Sequence, residues 1–240
     1  MKFMQGNDAK AALAAEAAKV AQAADGKYAT YRYWMKKDEE KLITFLDGQL
    51  DEDGMLDIPL FFEHSVQSDG RWKTYVCIGE DEGCPFCAEG NRKSLCGVLT
   101  IIDHSEFTGK SRDGQPGKLY KNEKVLFVCK KGTIQALTAQ AREACDGDLT
   151  GATFKVTRSS DPKSPRVGDS FFLKKKVTSD QLETLGEGKS LAYEYTPEEI
   201  GYKDKAQLAE LGFGDLSGFT GATETATVSG GGESVDEIFN

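Results

Sequence analysis

With 240 residues the chain is long enough to bury a substantial core. Its composition, 39% hydrophobic and 10% aromatic, is that of a globular protein with polar extensions, and no apolar stretch reaches the length of a membrane span. The net charge of -9 sits at one end: residues 1 to 180 hold 27 basic and 27 acidic side chains, residues 181 to 240 hold 3 and 12, and residues 104 to 176 hold 15 and 8, so an acidic end offsets a basic middle suited to polyanions.

In chain order, Asp8 to Ala24 is alanine-rich, with Leu13 and Val20 seven apart on one helical face, which predicts a helical arm over residues 1–26, either lying on the surface or docking in self-association. Two strands rich in aromatic and branched residues follow, Tyr28 to Met35 and Lys41 to Leu46. Ile58 to Phe62 and Arg71 to Val76 read as strands ending at His64 and Cys77. Gly97 to Asp103 reads as a central strand, Phe107 to Lys121 as a glycine-rich hairpin or loop, and Val125 to Cys129 as a returning strand. Ile134, Leu137, Ala141 and Ala144 recur at helical spacing over Thr133 to Ala144. Leu149 to Arg158 and Ser170 to Val177 complete about five main strands around one helix, which predicts a mainly β fold with some α, an OB-like Greek-key barrel over residues 27–180 with an inserted zinc subdomain at about 58–97.

Beyond Asp180 the pattern loosens into a short helical extension, residues 181–216. Thr196-Pro197-Glu198-Glu199 is a capped helix start and Lys203 to Leu211 a second helical stretch. Residues 217–240 read as a flexible glycine-rich linker and a disordered acidic tail. The tail carries apolar anchors, so Asp236, Glu237, Ile238 and Phe239 are candidates for partner binding.

The spacing His64-x12-Cys77-x6-Cys84-Pro85-Phe86-Cys87 predicts one structural zinc, because two cysteines separated by two residues ligate one ion from a single tight turn. Disulfides are disfavoured, as the chain begins without a basic-then-apolar leader and reads as cytosolic. A redox Cys-x-x-C lacks its surrounding βαβ pattern. Of the remaining cysteines, Cys96 is the alternative ligand should His64 not serve, and Cys129 falls in an apolar strand. A deaminase would need His-x-Glu and a proline before the first paired cysteine, whereas Ser65-Val66 follow His64 and Gly83 precedes Cys84. A metalloprotease would need two histidines one helical turn apart, yet His64 and His104 are the only two. Gly186-Glu187-Gly188-Lys189-Ser190 resembles the end of a phosphate loop, but Glu183 stands where its first glycine belongs.

Aromatic and basic residues interleave on the strands: Tyr31, Arg32, Tyr33, Trp34 and Lys36; Arg71, Trp72, Lys73 and Tyr75; Lys155, Arg158, Lys174 and Lys176; with Lys110 and Arg112 on the loop between. Single-stranded nucleic acid requires that combination, cations for phosphates and flat apolar faces for unpaired bases. Tyr31, Tyr33, Trp34, Trp72 and Tyr75 are assigned to the surface, and Phe45, Phe61, Phe127 and Phe154 to the core.

This ligand set inside a β-rich, basic and aromatic core, followed by an acidic tail, resembles the zinc-containing single-stranded-DNA-binding proteins of tailed phages, over about residues 28–180 plus the tail. The resemblance implies an OB-fold core, a zinc held by His64, Cys77, Cys84 and Cys87, a non-enzymatic coat for single-stranded DNA in replication, recombination and repair, a tail that contacts replication, recombination or nuclease proteins, and residence in the cytoplasm of an infected bacterial host. The chain departs from that pattern in a shorter inter-cysteine loop and a charge-balanced arm. The alternatives are a zinc-containing nuclease, for which Asp51, Glu52, Asp53 and Asp57 are the acidic group, and an RNA-binding accessory protein.

Overall fold

The computed structural model describes residues 30–68, 70–108 and 119–213. The predicted helical arm, the tip of the 107–121 hairpin, the last residues of the extension (214–216), and the linker and tail (217–240) lie outside them. Strand β1 (Glu39–Phe45) opens polar and ends in three buried residues, Ile43, Thr44 and Phe45. Strands β2 (Leu60–Ser68) and β3 (Arg71–Val76) make a hairpin, and one short helical turn, α1 (Pro85–Ala88), follows. The long strands β4 (Lys93–Thr108) and β5 (Leu119–Lys130) pair with each other and lead into helix α2 (Lys131–Ala144). Strands β6 (Ala152–Arg158) and β7 (Ser170–Lys176) close the series. All these pairings are antiparallel, in the order β3-β2-β4-β1-β6-β7 with β5 on the far edge of β4.

The run Gly97 to Asp103 is central, as expected, but β4 is much longer than that run. One edge of it pairs with β5, while its other edge takes β2 at Lys93 to Gly97 and then β1 at Ile101 to Asp103. A single strand thus joins the hairpin that carries His64 to the main core. The sheet is open, and among the described residues no strand ladder joins β5 to β7. The stretch expected as a strand up to Met35 is instead an irregular segment lodged at that opening. Tyr33 N donates to Leu126 O at 2.7 Å, and Met35 N donates to Arg166 O at 2.7 Å.

The main core lies under this sheet. The rings of Phe127 and Phe154 meet Phe45 edge-on with centroids at 5.4 and 5.7 Å, and α2 presses Ile134, Leu137 and Ala141 against them. Losing one such buried ring costs about 3–5 kcal/mol. Gly151 lets the start of β6 approach the end of β7: its φ is +77°, and a Cβ there would stand 2.1 Å from Val177 O.

The extension beyond Asp180 is fastened rather than loose. Its helices α3 (Ser179–Glu183), α4 (Pro197–Ile200) and α5 (Lys205–Glu210) each begin with a capping box, at Thr178, Thr196 and Asp204. Leu182 packs on Leu46 and Ile102, Tyr193 donates to Lys124 O at 2.9 Å, and Tyr195 donates its hydroxyl to the Asp47 carboxylate. Burial drives the Asp47 pKa up from 3.8 to about 6 despite the hydrogen bonds from Tyr195 and Thr100. An acid whose folded pKa is raised binds more protons folded than unfolded between those two values. Stability should therefore fall as pH rises from about 4 to about 6 and stay lowered above that. Asp47→Asn should remove this fall, gaining on the order of 2–3 kcal/mol at pH 7 and little at pH 4. Urea unfolding of both chains across that range checks it, and parallel curves would acquit Asp47.

Candidate metal centre and surface of aromatic and basic residues

Four side chains from two hairpin strands and one turn converge. His64 lies inside β2 rather than at its end, opposite Tyr75 across the hairpin, and Cys77 directly follows β3. Cys84 caps α1 and Cys87 lies within it, because Pro85 starts the turn and Cys84 N is held by Gly79 O at 3.0 Å. Gly83, with φ +74°, lets the chain enter this turn beneath the Lys205 ammonium group.

The four ligand atoms all lie within 4.8 Å of one another. Cys77 Sγ stands 4.0 Å from Cys84 Sγ and 3.5 Å from Cys87 Sγ, while His64 Nε2 is 3.6 Å from Cys84 Sγ and 3.4 Å from Cys87 Sγ. A tetrahedral ion with bonds of about 2.3 Å to sulfur and 2.0–2.1 Å to nitrogen has edges of about 3.8 and 3.5 Å. These side chains therefore form a His/Cys3 set of the size and donor type that holds a metal, compatible with zinc. Burial keeps the His64 imidazole toward its neutral, ligating form, though the Asn91 backbone acts in the opposite sense. Burial alone would raise the Cys84 thiol as well, but backbone hydrogen bonds from Cys87, Ile78 and Phe86 bring it below its ordinary value. The Cys87 thiol, half-buried beside the sulfurs of Cys77 and Cys84, is pushed up to about 12 by desolvation and by those two groups. Cys96 is outside the set. Its sulfur faces Glu63 Oε2 at 3.5 Å, and burial with that carboxylate nearby raises the thiol to about 12.

An aromatic shell surrounds the ligands. Phe86 is buried with its ring centroid 5.4 Å from His64, 5.3 Å from Tyr75 and 5.1 Å from Phe213, and Leu208 of α5 is wholly buried in the same cluster. Sequence reasoning missed this clasp, because single apolar residues at 202, 208 and 213 show no period.

The basic and aromatic residues divide. Trp34 is 57% exposed, Tyr31 76% and Trp72 66%; exposed Lys36 follows Trp34 by two residues, and exposed Arg71 and Lys73 stand on either side of Trp72 along β3. Tyr33 and Tyr75 were expected on the surface and are buried, at 5% and 8%. Tyr33 stacks on Phe127 at 5.6 Å, and Tyr75 belongs to the shell of Phe86. Of the phenylalanines assigned to the core, Phe45, Phe127 and Phe154 are there, whereas Phe61 is half-buried. Arg32 pairs with Glu63 and donates to Ile200 O, and Arg158 donates to Met35 O. Lys155 pairs with Glu40 at 2.9 Å, and Lys176 donates to Cys145 O and Asp148 O. Lys174 is exposed on β7. Lys110 and Arg112, with Asp236, Glu237, Ile238 and Phe239, lie outside the described residues. Among the described residues no helix is long and apolar enough to cross a membrane.

Compared with known proteins, the chain matches no family model and no curated protein.

Proposed function

We propose that this chain is a non-enzymatic coat protein for single-stranded DNA, serving phage replication, recombination and repair in the cytoplasm of an infected bacterium. One observation carries the reading: the chain has two tryptophans, both are more than half exposed, and basic residues stand close to each in sequence, Lys36 two positions after Trp34 and Arg71 and Lys73 on either side of Trp72. A large aromatic left in water forfeits its burial energy, and an unpaired base offers the apolar face that recovers it. Tyr31, Trp34, Lys36, Arg71, Trp72, Lys73, Lys155 and Lys174 are the proposed contacts. The ion of the His/Cys3 set is proposed to be zinc, one per chain and structural. When bound, it would tie β2, the end of β3 and the α1 turn into one rigid unit bearing Trp72. The OB-like reading of the curled sheet rests on Phe171 of β7, which meets both Phe127 and Phe154, with centroids at 6.3 and 6.4 Å. The tail is proposed to recruit replication, recombination or nuclease proteins through Asp236, Glu237, Ile238 and Phe239.

Anisotropy titrations with a labelled oligonucleotide, alone and as a duplex in matched salt, test the reading. Single strands should bind more tightly. Trp34→Ala and Trp72→Ala should each weaken binding roughly 5- to 150-fold, the worth of one stacked base. Equal affinity for duplex would overturn the proposal, and shortening of the oligonucleotide with magnesium would favour a nuclease.

A further inference from the structure

The outer face of the sheet, away from the main core, holds a half-open pocket of about 490 Å³ whose floor and walls include Thr44, Thr153, His104, Asn122, Lys121 and Lys175. Two irregular places in the ladders flank it. The β4–β5 register shifts between Asp103 and Glu106, and the β6–β7 register shifts between Thr153 and Phe154. Such bulges re-aim side chains beside binding sites. At the first of them Asn122 takes φ +53°, a left-handed conformation that asparagine tolerates better than most residues.

The re-aimed side chains form a polar chain. Thr153 Oγ1 and Thr44 Oγ1 are 2.8 Å apart, Thr44 Oγ1 lies 2.8 Å from His104 Nε2, and His104 Nδ1 lies 2.8 Å from Asn122 Oδ1. With His104 Nδ1 donating to Asn122 Oδ1, both imidazole nitrogens are engaged and the Asn122 carboxamide is held in one orientation. Its NH2 group then remains as a donor on a residue that lines the pocket. The ammonium groups of Lys175 and Lys121 add positive charge, Lys121 being paired with Glu106 at the rim. Beside the pocket, Leu42, Lys155 and Phe172 follow one another in register across β1, β6 and β7, and Leu42 and Phe172 are exposed.

We propose that this pocket holds one nucleotide of a bound strand: acceptor oxygens of its phosphate and base are met by Lys175 and Asn122, and the next base lies on Phe172. The inference rests on the single-stranded-DNA reading in taking the polymer as the source of the nucleotide. A pocket of this volume with a few convergent donors suits a ligand of that size. His104 acts as a positioning residue, and the pocket places one point of hydrogen-bonded recognition on a surface otherwise built for stacking.

The test uses the full chain, a labelled oligothymidylate and, separately, thymidine monophosphate. Asn122→Asp keeps a residue type that accepts the left-handed backbone and replaces the donor with a negative acceptor. Lys175→Ala, on an exposed side chain, guards against misfolding. Each variant should bind the oligonucleotide about tenfold more weakly or worse, the loss expected for one hydrogen bond to a charged group. In NMR titrations the mononucleotide should shift the amide signals of Asn122 and Lys175. If the wild type binds the oligonucleotide and both variants match it, the pocket is overturned while the coat reading stands. If the mononucleotide shifts those signals but the oligonucleotide does not bind, the pocket stands and the coat reading falls. If neither binds, both fall.

Discussion

Replacing Cys84 by serine should strip the metal from the purified chain and lower its melting temperature by about 10 °C or more. Structural zinc contributes about 10–16 kcal/mol of apparent binding energy in small metal-folded peptides, and even part of that exceeds the effect of most single side chains. The geometry says why the loss should be large. Without an ion, three sulfurs and an imidazole nitrogen remain within 4.8 Å of one another, and the turn from Gly79 to Cys87 is left to its backbone hydrogen bonds and the packing of Phe86. Elemental analysis beside calorimetry measures both effects. Cys96→Ser is the control and should keep the metal, since its sulfur faces Glu63 instead. A Cys84→Ser chain with one metal per chain and an unchanged melting point would remove Cys84 from the ligand set.

The second large effect is expected from Leu208→Asp. Leu208 is wholly buried in an apolar cluster with Phe86, Tyr75, Val66 and Ile78. Truncation to alanine would cost about 2–5 kcal/mol, and an unpaired charge costs more unless the segment lets go. Detachment of α5 and Phe213 is the cheaper response, because the main core lies elsewhere. Trypsin should then cleave at Lys203 and Lys205 many times faster, and a chelator should remove the metal sooner, while metal content at rest stays at one per chain. Cleavage and chelation at wild-type rates would show that Leu208 does not hold the extension.

How far these features could be read from the residues depended on how local they are. The ligand set was legible because His64 and Cys87 are 23 positions apart and a metal dictates their chemistry by itself. The edges of β3 and the cap at Thr196 were legible for the same reason, each being set by a few consecutive residues. Tyr33 was misplaced because a charged neighbour in an extended chain points the opposite way, so Arg32 says nothing about the face that Tyr33 occupies, and Tyr75 because the rings that cover it, Phe86 and Phe213, come from later segments. His64 was put at a strand end because Glu63 and Ser65 interrupt the apolar run. Glu63 is nevertheless buried, stabilised by Arg32 from a distant segment. The polar chain from Thr153 to Asn122 joins four strands through two register shifts, and no single segment records it.

The shared strand β4 also bears on the order in which the molecule can be made. Closing a long loop costs more chain entropy than closing a short one, so neighbours in sequence find each other first. The β2–β3 hairpin, all four metal ligands and the stretch of β4 that pairs with β2 leave the ribosome together. The β1–β6 ladder must wait until Arg158 has been synthesised to meet Glu39. On a nascent chain the four ligand residues can therefore come together before Leu208 and Phe213, which later cover them, have been translated, and β4 then serves as the ready edge on which the main core is laid down.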